Sequence, residues 1–206
     1  MKIGLEVEFF LTKDGNIINV GKAGLPSDEY PLLAEARGNA FDCIFQAVGS
    51  VRGEIERIVS LASKIGATPL FSDWIKKDGL TEKLDEEILR QGFSKHIGWR
   101  NLYGKNPSSK NKRFIPAGLH VSFTQSKSFA YITSQNQNQV FQYNSLFDYP
   151  HVFNNITKEF LPEIKASGRV EGFYEVKDDG RVEYRSLPAT LINSQNFAER
   201  LFRCLK

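Results

Sequence analysis

Along residues 2–11 the chain alternates, with Ile3, Leu5, Val7, Phe9 and Leu11 on one side and Gly4, Glu6, Glu8 and Phe10 on the other. A period of two is that of a β-strand with one buried face. Asp14-Gly15 supplies turn chemistry, so residues 16–20 read as a return strand that closes a hairpin. After a loop over 21–31, residues 32–37 form a short strand with Leu33, Glu35 and Arg37 on a common face. The period then changes. Ile55, Ile58, Val59, Ala62 and Ile65 recur at three-and-four spacing, which predicts a helix over 50–64 that packs on a sheet and that Gly66 ends. Residues 68–71 read as a further strand, and 81–90 as a more polar helix capped by Thr81.

Alternation returns at 117–124, where Ala117, Leu119, Val121 and Phe123 oppose Gly118, His120, Ser122 and Thr124. A polar stretch over 133–138 precedes a helix around 157–165 that Pro162 interrupts. Residues 171–177 and 181–187 flank Asp178-Asp179-Gly180 and predict a second hairpin. The last segment, 194–205, reads as a helix with Phe197, Leu201 and Leu205 on its buried side. Neither a repeat nor a domain boundary interrupts the pattern, so the expectation is one α+β domain over 1–206, mainly antiparallel sheet with flanking helices.

Composition refines this picture in three places. The chain has 16 phenylalanines among 206 residues, an aromatic load that suits a sheet-rich core. Cys43 and Cys204 match no zinc-ligand spacing and are expected to be buried free thiols in a reducing compartment. No apolar run approaches the roughly 20 residues that span a bilayer, and Met1-Lys2-Ile3-Gly4 leads straight into strand pattern, so a soluble cytoplasmic protein without a membrane partner is expected. The net charge of +3 neither demands nor excludes nucleic acid. A basic loop over 104–113, with Lys105, Lys110, Lys112 and Arg113, and aromatics such as Trp99 and Tyr103 match no recognised nucleic-acid reader.

The polar faces carry the chemistry. Glu6 and Glu8 lie two apart on one face, about 6–7 Å along the strand. The apolar face behind them specifies register, so the acids cannot swap sides. Two carboxylates so held repel unless a cation joins them or one takes a proton. His120 and Ser122 occupy the corresponding face of the 117–124 strand. Arg181, Glu183 and Arg185 oppose Val182 and Tyr184, and Glu35 and Arg37 share a face. Taken singly, a Glu-x-Glu strand is commonly a solvated face, His120 a satisfied histidine, and Glu183 with Arg185 an exposed pair worth about 0–1 kcal/mol. Recurrence on three or four strands favours a site where four carboxylates, an imidazole and several guanidinium groups meet. Such a site suits magnesium or manganese, with a neutral imidazole as an additional ligand. Arginines beside it clamp phosphate oxygens, which points to a bound nucleotide.

These residues resemble a family. Gly4-Leu5-Glu6-Val7-Glu8-Phe9-Phe10-Leu11 looks like the opening catalytic strand of glutamine synthetases. Gly118-Leu119-His120-Val121-Ser122 resembles their later glycine–histidine strand, and Arg181-Val182-Glu183-Tyr184-Arg185-Ser186 their terminal arginine–glutamate–arginine strand, in the same order. The tighter resemblance, carried by Glu183-Tyr184-Arg185-Ser186-Leu187-Pro188, is to the small, often phage-encoded carboxylate–amine ligases related to glutamine synthetase and glutamate–cysteine ligase. It implies a glutamine synthetase-like catalytic domain using ATP and Mg²⁺, or Mn²⁺, to join a carboxylate substrate to an amine substrate. Glu6, His120 and Glu183 would hold one metal ion, and Glu8, with Glu35 as companion, a second. Arg185 would meet phosphate oxygens, Arg37 would serve beside it in catalysis, and Arg181, Ser122 and Lys112 would face the nucleotide. Ser122 stands where glutamine synthetases commonly have another histidine. No counterpart of their ammonia and glutamate pockets is evident. His96 and His151 lie outside any motif and are read as structural or surface residues. The same acids would also serve a metal-dependent phosphohydrolase or nuclease, a guanidino kinase, or a degenerate nucleotide-binding module.

Overall fold

The computed structural model describes residues 1–28, 30–76, 80, 99–105, 114–124, 149–177 and 179–206. The helix expected over 81–90, the polar stretch 133–138, His96, and Lys110, Lys112 and Arg113 of the basic loop lie outside the described residues.

The strands are β1 (Lys2–Lys13), β2 (Asn16–Ile17), β3 (Ala34–Arg37), β4 (Thr68–Leu70), β5 (Trp74–Lys76), β6 (Trp99–Asn101), β7 (Phe114–Pro116), β8 (Gly118–Thr124), β9 (Phe173–Val176) and β10 (Val182–Pro188). Eight of them make one sheet in the order β2-β1-β8-β10-β9-β6, with β3 and β4 also paired to β1, while β5 and β7 form a separate pair. Every one of these pairings is antiparallel. The helices are α1 (Ile44–Ser63), α2 (Tyr149–Glu159), α3 (Leu161–Ala166) and α4 (Phe197–Cys204), preceded by a 3₁₀ turn over Ala189–Asn193. The fold is α+β with a mostly antiparallel sheet.

The long alternating segment becomes the strand on which the sheet is assembled. Its apolar side is buried throughout, and the turn after it holds Asp14 at φ 51° and Gly15 at φ 78°. Two successive left-handed residues make the type I′ hairpin turn. The return strand is shorter than the expected 16–20, because Val20 and Gly21 donate instead to the Pro31 carbonyl and close the following loop. Helix α1 begins at Ile44 rather than 50; Gly49 and Gly53 mask its first turns, but Ile44, Ala47, Val48 and Val51 are buried there. At its end Gly66 adopts φ 74°. Gly66 donates to Ser63 and Ala67 to Ala62, the bond pair of a Schellman stop. Ile65 therefore falls past the last turn and is exposed, contrary to its place in the predicted face. The helix expected around 157–165 is two helices that divide at Phe160, with Pro162 in the first turn of the second. In α4, Cys204 and not Leu205 completes the buried side. Cys43 is exposed at the entry to α1, so only Cys204 is a buried thiol.

The main core joins the apolar faces of β1, β8 and β10 to α1, α2 and α4. Phe153 sits among rings, with centroids 5.8 Å from Phe123, 5.7 Å from Tyr149 and Tyr174, and 5.3 Å from Tyr184. The Tyr184 hydroxyl is not left bare, for it lies 2.7 Å from Thr157 Oγ1. Phe10 departs from the simple alternation. It shares the side of Glu6 and Glu8 yet is fully buried in a second cluster with Leu32, Leu33, Ile115, Ala117 and Ala189. The acid-bearing face is thus shut by apolar side chains at the Phe10 end. Among the described residues no helix is long and apolar enough to cross a membrane.

Phe153 is the ring on which this core turns. Phe153→Ala is expected to lower unfolding free energy by about 3–5 kcal/mol, measured by denaturant titration. A loss below about 1 kcal/mol would show that the helix layer is not packed on the sheet as described.

Candidate metal centre

Three strands of different sequence origin meet side by side as β1, β8 and β10, and their register decides which polar groups touch. Glu6 lies directly across from His120, Gly4 from Ser122, and Ser122 in turn from Glu183. On the other pairing of β1, Glu8 faces Glu35 and Glu6 faces Arg37. Glycine at position 4 leaves room, since a Cβ there would lie 3.0 Å from Ser122 Oγ.

The result is a carboxylate–imidazole–carboxylate group. His120 Nδ1 is 3.8 Å from Glu6 Oε2 and 3.6 Å from Glu183 Oε1. One ligand atom from each of the three residues lies within 4.8 Å of the others, an arrangement that can hold a metal ion. Ligands about 2.1 Å from an ion stand roughly 3.0 Å apart at right angles and roughly 4.2 Å apart when opposed, which brackets the two gaps to His120. They are too long for hydrogen bonds. Accordingly His120 Nδ1 and Glu183 Oε2 have no hydrogen-bond partner among the described residues, although His120 is 3% and Glu183 0% exposed. Buried polar atoms are nearly always satisfied, so orphaned atoms here fit a cation in the gap. Burial, reinforced by nearby Arg185, holds His120 well below the usual histidine range. The imidazole is therefore neutral, the form that ligates a metal.

Glu8 and Glu35 form the adjoining pair. Glu8 Oε2 accepts the Gly118 N–H at 2.7 Å, and Oε1 is 3.7 Å from His120 Nε2. Burial first, then the charge of Asp28, pushes Glu8 up to about 7. Burial, then Glu6, pushes Glu35 up to about 8 despite the Arg37 guanidinium 2.8 Å away. Arg37 is mostly exposed and also lies 3.7 Å from Glu6 Oε1, so it stands on the solvent side of Glu35 and Glu6.

The third strand carries a feature that alternation alone does not reveal. Tyr184 pairs with Val121 and Leu187 with Leu119, so Arg185 and Ser186 together face the single residue His120. This is a β-bulge, a device that re-aims side chains beside sites. It returns Leu187 to the core and leaves Arg185 at the site, where its Nη1 donates to Glu183 Oε1 and, at 3.1 Å, to Glu175 Oε2. Arg169 braces the bulge, donating to the carbonyls of Ala117 and Arg185 at 3.0 and 2.8 Å. Its guanidinium passes over Gly118, where a Cβ would stand 2.8 Å from Arg169 Nη2 and 2.9 Å from His120 Nε2.

The structure thus brings together Glu6, Glu8, Glu35, Arg37, His120, Glu183 and Arg185. Ser122 is buried beside them, with its hydroxyl directed to the Gly4 carbonyl at 3.4 Å. Arg181 is not drawn in. Its guanidinium pairs with Asp179 at 2.8 Å in the hairpin turn. Lys112 lies outside the described residues. Sequence reading missed Asp28, Arg169 and Glu175. Asp28 and Arg169 sit in loops without periodicity, whereas Glu175 had a signal, since it alternates with Tyr174 and Val176 on a predicted strand.

No family model matches the chain, and neither a curated protein nor a solved structure matches it.

A carboxyl group with a raised folded pKa contributes stability below its unfolded value of about 4.5, and that contribution is lost as pH rises through the folded value. Glu8 and Glu35 should therefore make the metal-free protein less stable at pH 8.5 than at pH 6. A divalent cation favours their ionised forms, so the rise in melting temperature on adding Mn²⁺ should be larger at pH 8.5. A shift independent of pH contradicts this assignment. Gly118→Ala should displace Arg169 or His120 and weaken Mn²⁺ binding, read by calorimetry, by about tenfold or more. Unchanged affinity would show that the close approach over Gly118 is dispensable.

Proposed function

We propose that the protein is an ATP-dependent carboxylate–amine ligase of the glutamine synthetase and glutamate–cysteine ligase superfamily. What supports this reading most is the meeting of Glu6, His120 and Glu183, one from each of the three strands whose motifs resemble that superfamily. A nuclease-like surface site needs acids but not this combination of neutral imidazole, buried carboxylates and a guanidinium at one rim.

In this reading Glu6, His120 and Glu183 hold one Mg²⁺ or Mn²⁺, and Glu8 with Glu35 holds a second once both have lost their protons. The bound ions would neutralise phosphate oxygens and the substrate carboxylate, the charge that phosphoryl transfer must offset. The reaction class transfers the terminal phosphoryl group of ATP to a carboxylate. An amine then displaces phosphate from the acyl phosphate, releasing ADP and phosphate and leaving an amide. Arg185 contributes a guanidinium at the edge of the site, where it orients phosphate oxygens through directed N–H donors. Neutral His120 contributes a nitrogen lone pair without adding positive charge. Arg37 stands at the solvent side of Glu6 and Glu35 and screens the acids when the site is empty of substrate. The Phe10 cluster keeps water from one end. The two substrates are a carboxylate and an amine, each a small molecule or a peptide.

Calorimetry with a non-hydrolysable ATP analogue tests the reading. Binding is expected with Mg²⁺, absent with chelator, and weakened at least about tenfold by Glu6→Gln or Glu183→Gln in variants that remain folded. Success justifies screening acid–amine pairs for ADP release. No nucleotide binding at millimolar concentration, in protein that still binds Mn²⁺, would exclude the ligase and favour a metal-dependent phosphohydrolase.

A further inference from the structure

Glu175 has no role in the reading above. It is 8% exposed on β9 and lies directly across from Glu183. Two glutamates facing each other across an antiparallel pair repel. Here two cations reconcile them. Glu175 Oε2 accepts from Lys177 Nζ at 2.7 Å and from Arg185 Nη1 at 3.1 Å, and the same Nη1 donates to Glu183 Oε1.

Glu183 Oε1 is also the oxygen that stands 3.6 Å from His120 Nδ1. The Glu183 carboxylate therefore has two claims on it, from Arg185 at Oε1 and from a cation beside His120, which the unpartnered Oε2 can also meet. A divalent cation bound there draws on the charge of that carboxylate and repels the guanidinium. Loading the cation therefore weakens the hold of Arg185 on Glu183, yet the guanidinium is useful only if it stays beside the site.

The geometry points to Glu175 as a positioning residue of the metal centre that acts through Arg185. From the neighbouring strand it supplies a carboxylate acceptor for the guanidinium that a cation at Glu183 does not occupy. Arg185 can then shift its hydrogen bonding from Glu183 to Glu175 without leaving the rim. Lys177 compensates the second negative charge, so the four groups Glu175, Glu183, Lys177 and Arg185 are balanced before loading. This inference rests on the metal-centre reading, not on the identity of the substrates.

The test is a double-mutant cycle read by calorimetric titration of Mn²⁺ alone into the full chain. Wild type, Glu175→Gln, Arg185→Gln and the double variant are compared, with thermal unfolding in chelator as the check on folding. Glu175→Gln is expected to weaken Mn²⁺ binding about tenfold when Arg185 is present and less than about threefold in the Arg185→Gln background. Equal weakening in both backgrounds means that Glu175 acts on the cation by its charge alone, and overturns the inference. No weakening overturns it too. If Glu175→Gln does not fold, Lys177→Met carries the same test. It leaves Glu175 more available to Arg185 and should tighten Mn²⁺ binding about threefold or more only where Arg185 is retained. Equal tightening in both backgrounds overturns the inference. Wild-type protein that binds no Mn²⁺ at all removes the metal centre itself, a failure distinct from unchanged affinity in Glu175→Gln.

Discussion

Ionised carboxylates repel each other strongly once water is removed from between them, and β1 places Glu6 and the buried Glu8 on a face shared with buried Glu35 and Glu183. The rest of the site is a set of responses to that repulsion. Glu8 and Glu35 respond by retaining protons near neutral pH. Glu183 responds through Arg185, and Glu35 through Arg37. His120, kept neutral, offers a lone pair between Glu6 and Glu183 instead of a countercharge. What these responses leave is a gap bounded by two carboxylates and one nitrogen, which can hold a metal ion.

Fold and site are coupled through strand register. The apolar side of β1 packs into the main core, and slipping by one residue would bury the acids there and expose Leu5, Val7 and Phe9. The same register puts His120 across from Glu6. The bulge in β10 then absorbs one extra residue, so Leu187 packs in the core while Glu183 and Arg185 remain at the site. Stability and chemistry are written on opposite faces of the same strands. Hydrophobic burial on one side therefore holds in place the electrostatically costly arrangement on the other.

How much of this was legible follows from which physical signals are local. A period of two is local, so β1, β8 and β10 and the residues on their polar faces were readable from spacing alone. The Asp14-Gly15 turn was readable because few residue pairs tolerate two left-handed conformations in succession. The start of α1 was not, because Gly49 and Gly53 weaken the local signal and only tertiary burial of Ile44, Ala47 and Val48 reveals it. Phe10 looked like a member of the polar face because its partners, Leu32, Ile115 and Ala189, come from distant segments. Arg169 acts on carbonyls of Ala117 and Arg185, and a hydrogen bond to backbone leaves no trace in the pattern of side chains. Arg181 shares the alternation of Glu183 and Arg185, but the turn supplied a nearer partner in Asp179.

The central claim is that Glu6, His120 and Glu183 bind one divalent cation, with His120 as its nitrogen ligand. Pulsed electron paramagnetic resonance of Mn²⁺ bound to the protein tests it most directly. The account predicts a nitrogen coupling from a directly ligated imidazole that disappears in His120→Ala and persists in His151→Ala. Mn²⁺ bound without nitrogen coupling, or with a coupling that survives His120→Ala, would contradict it.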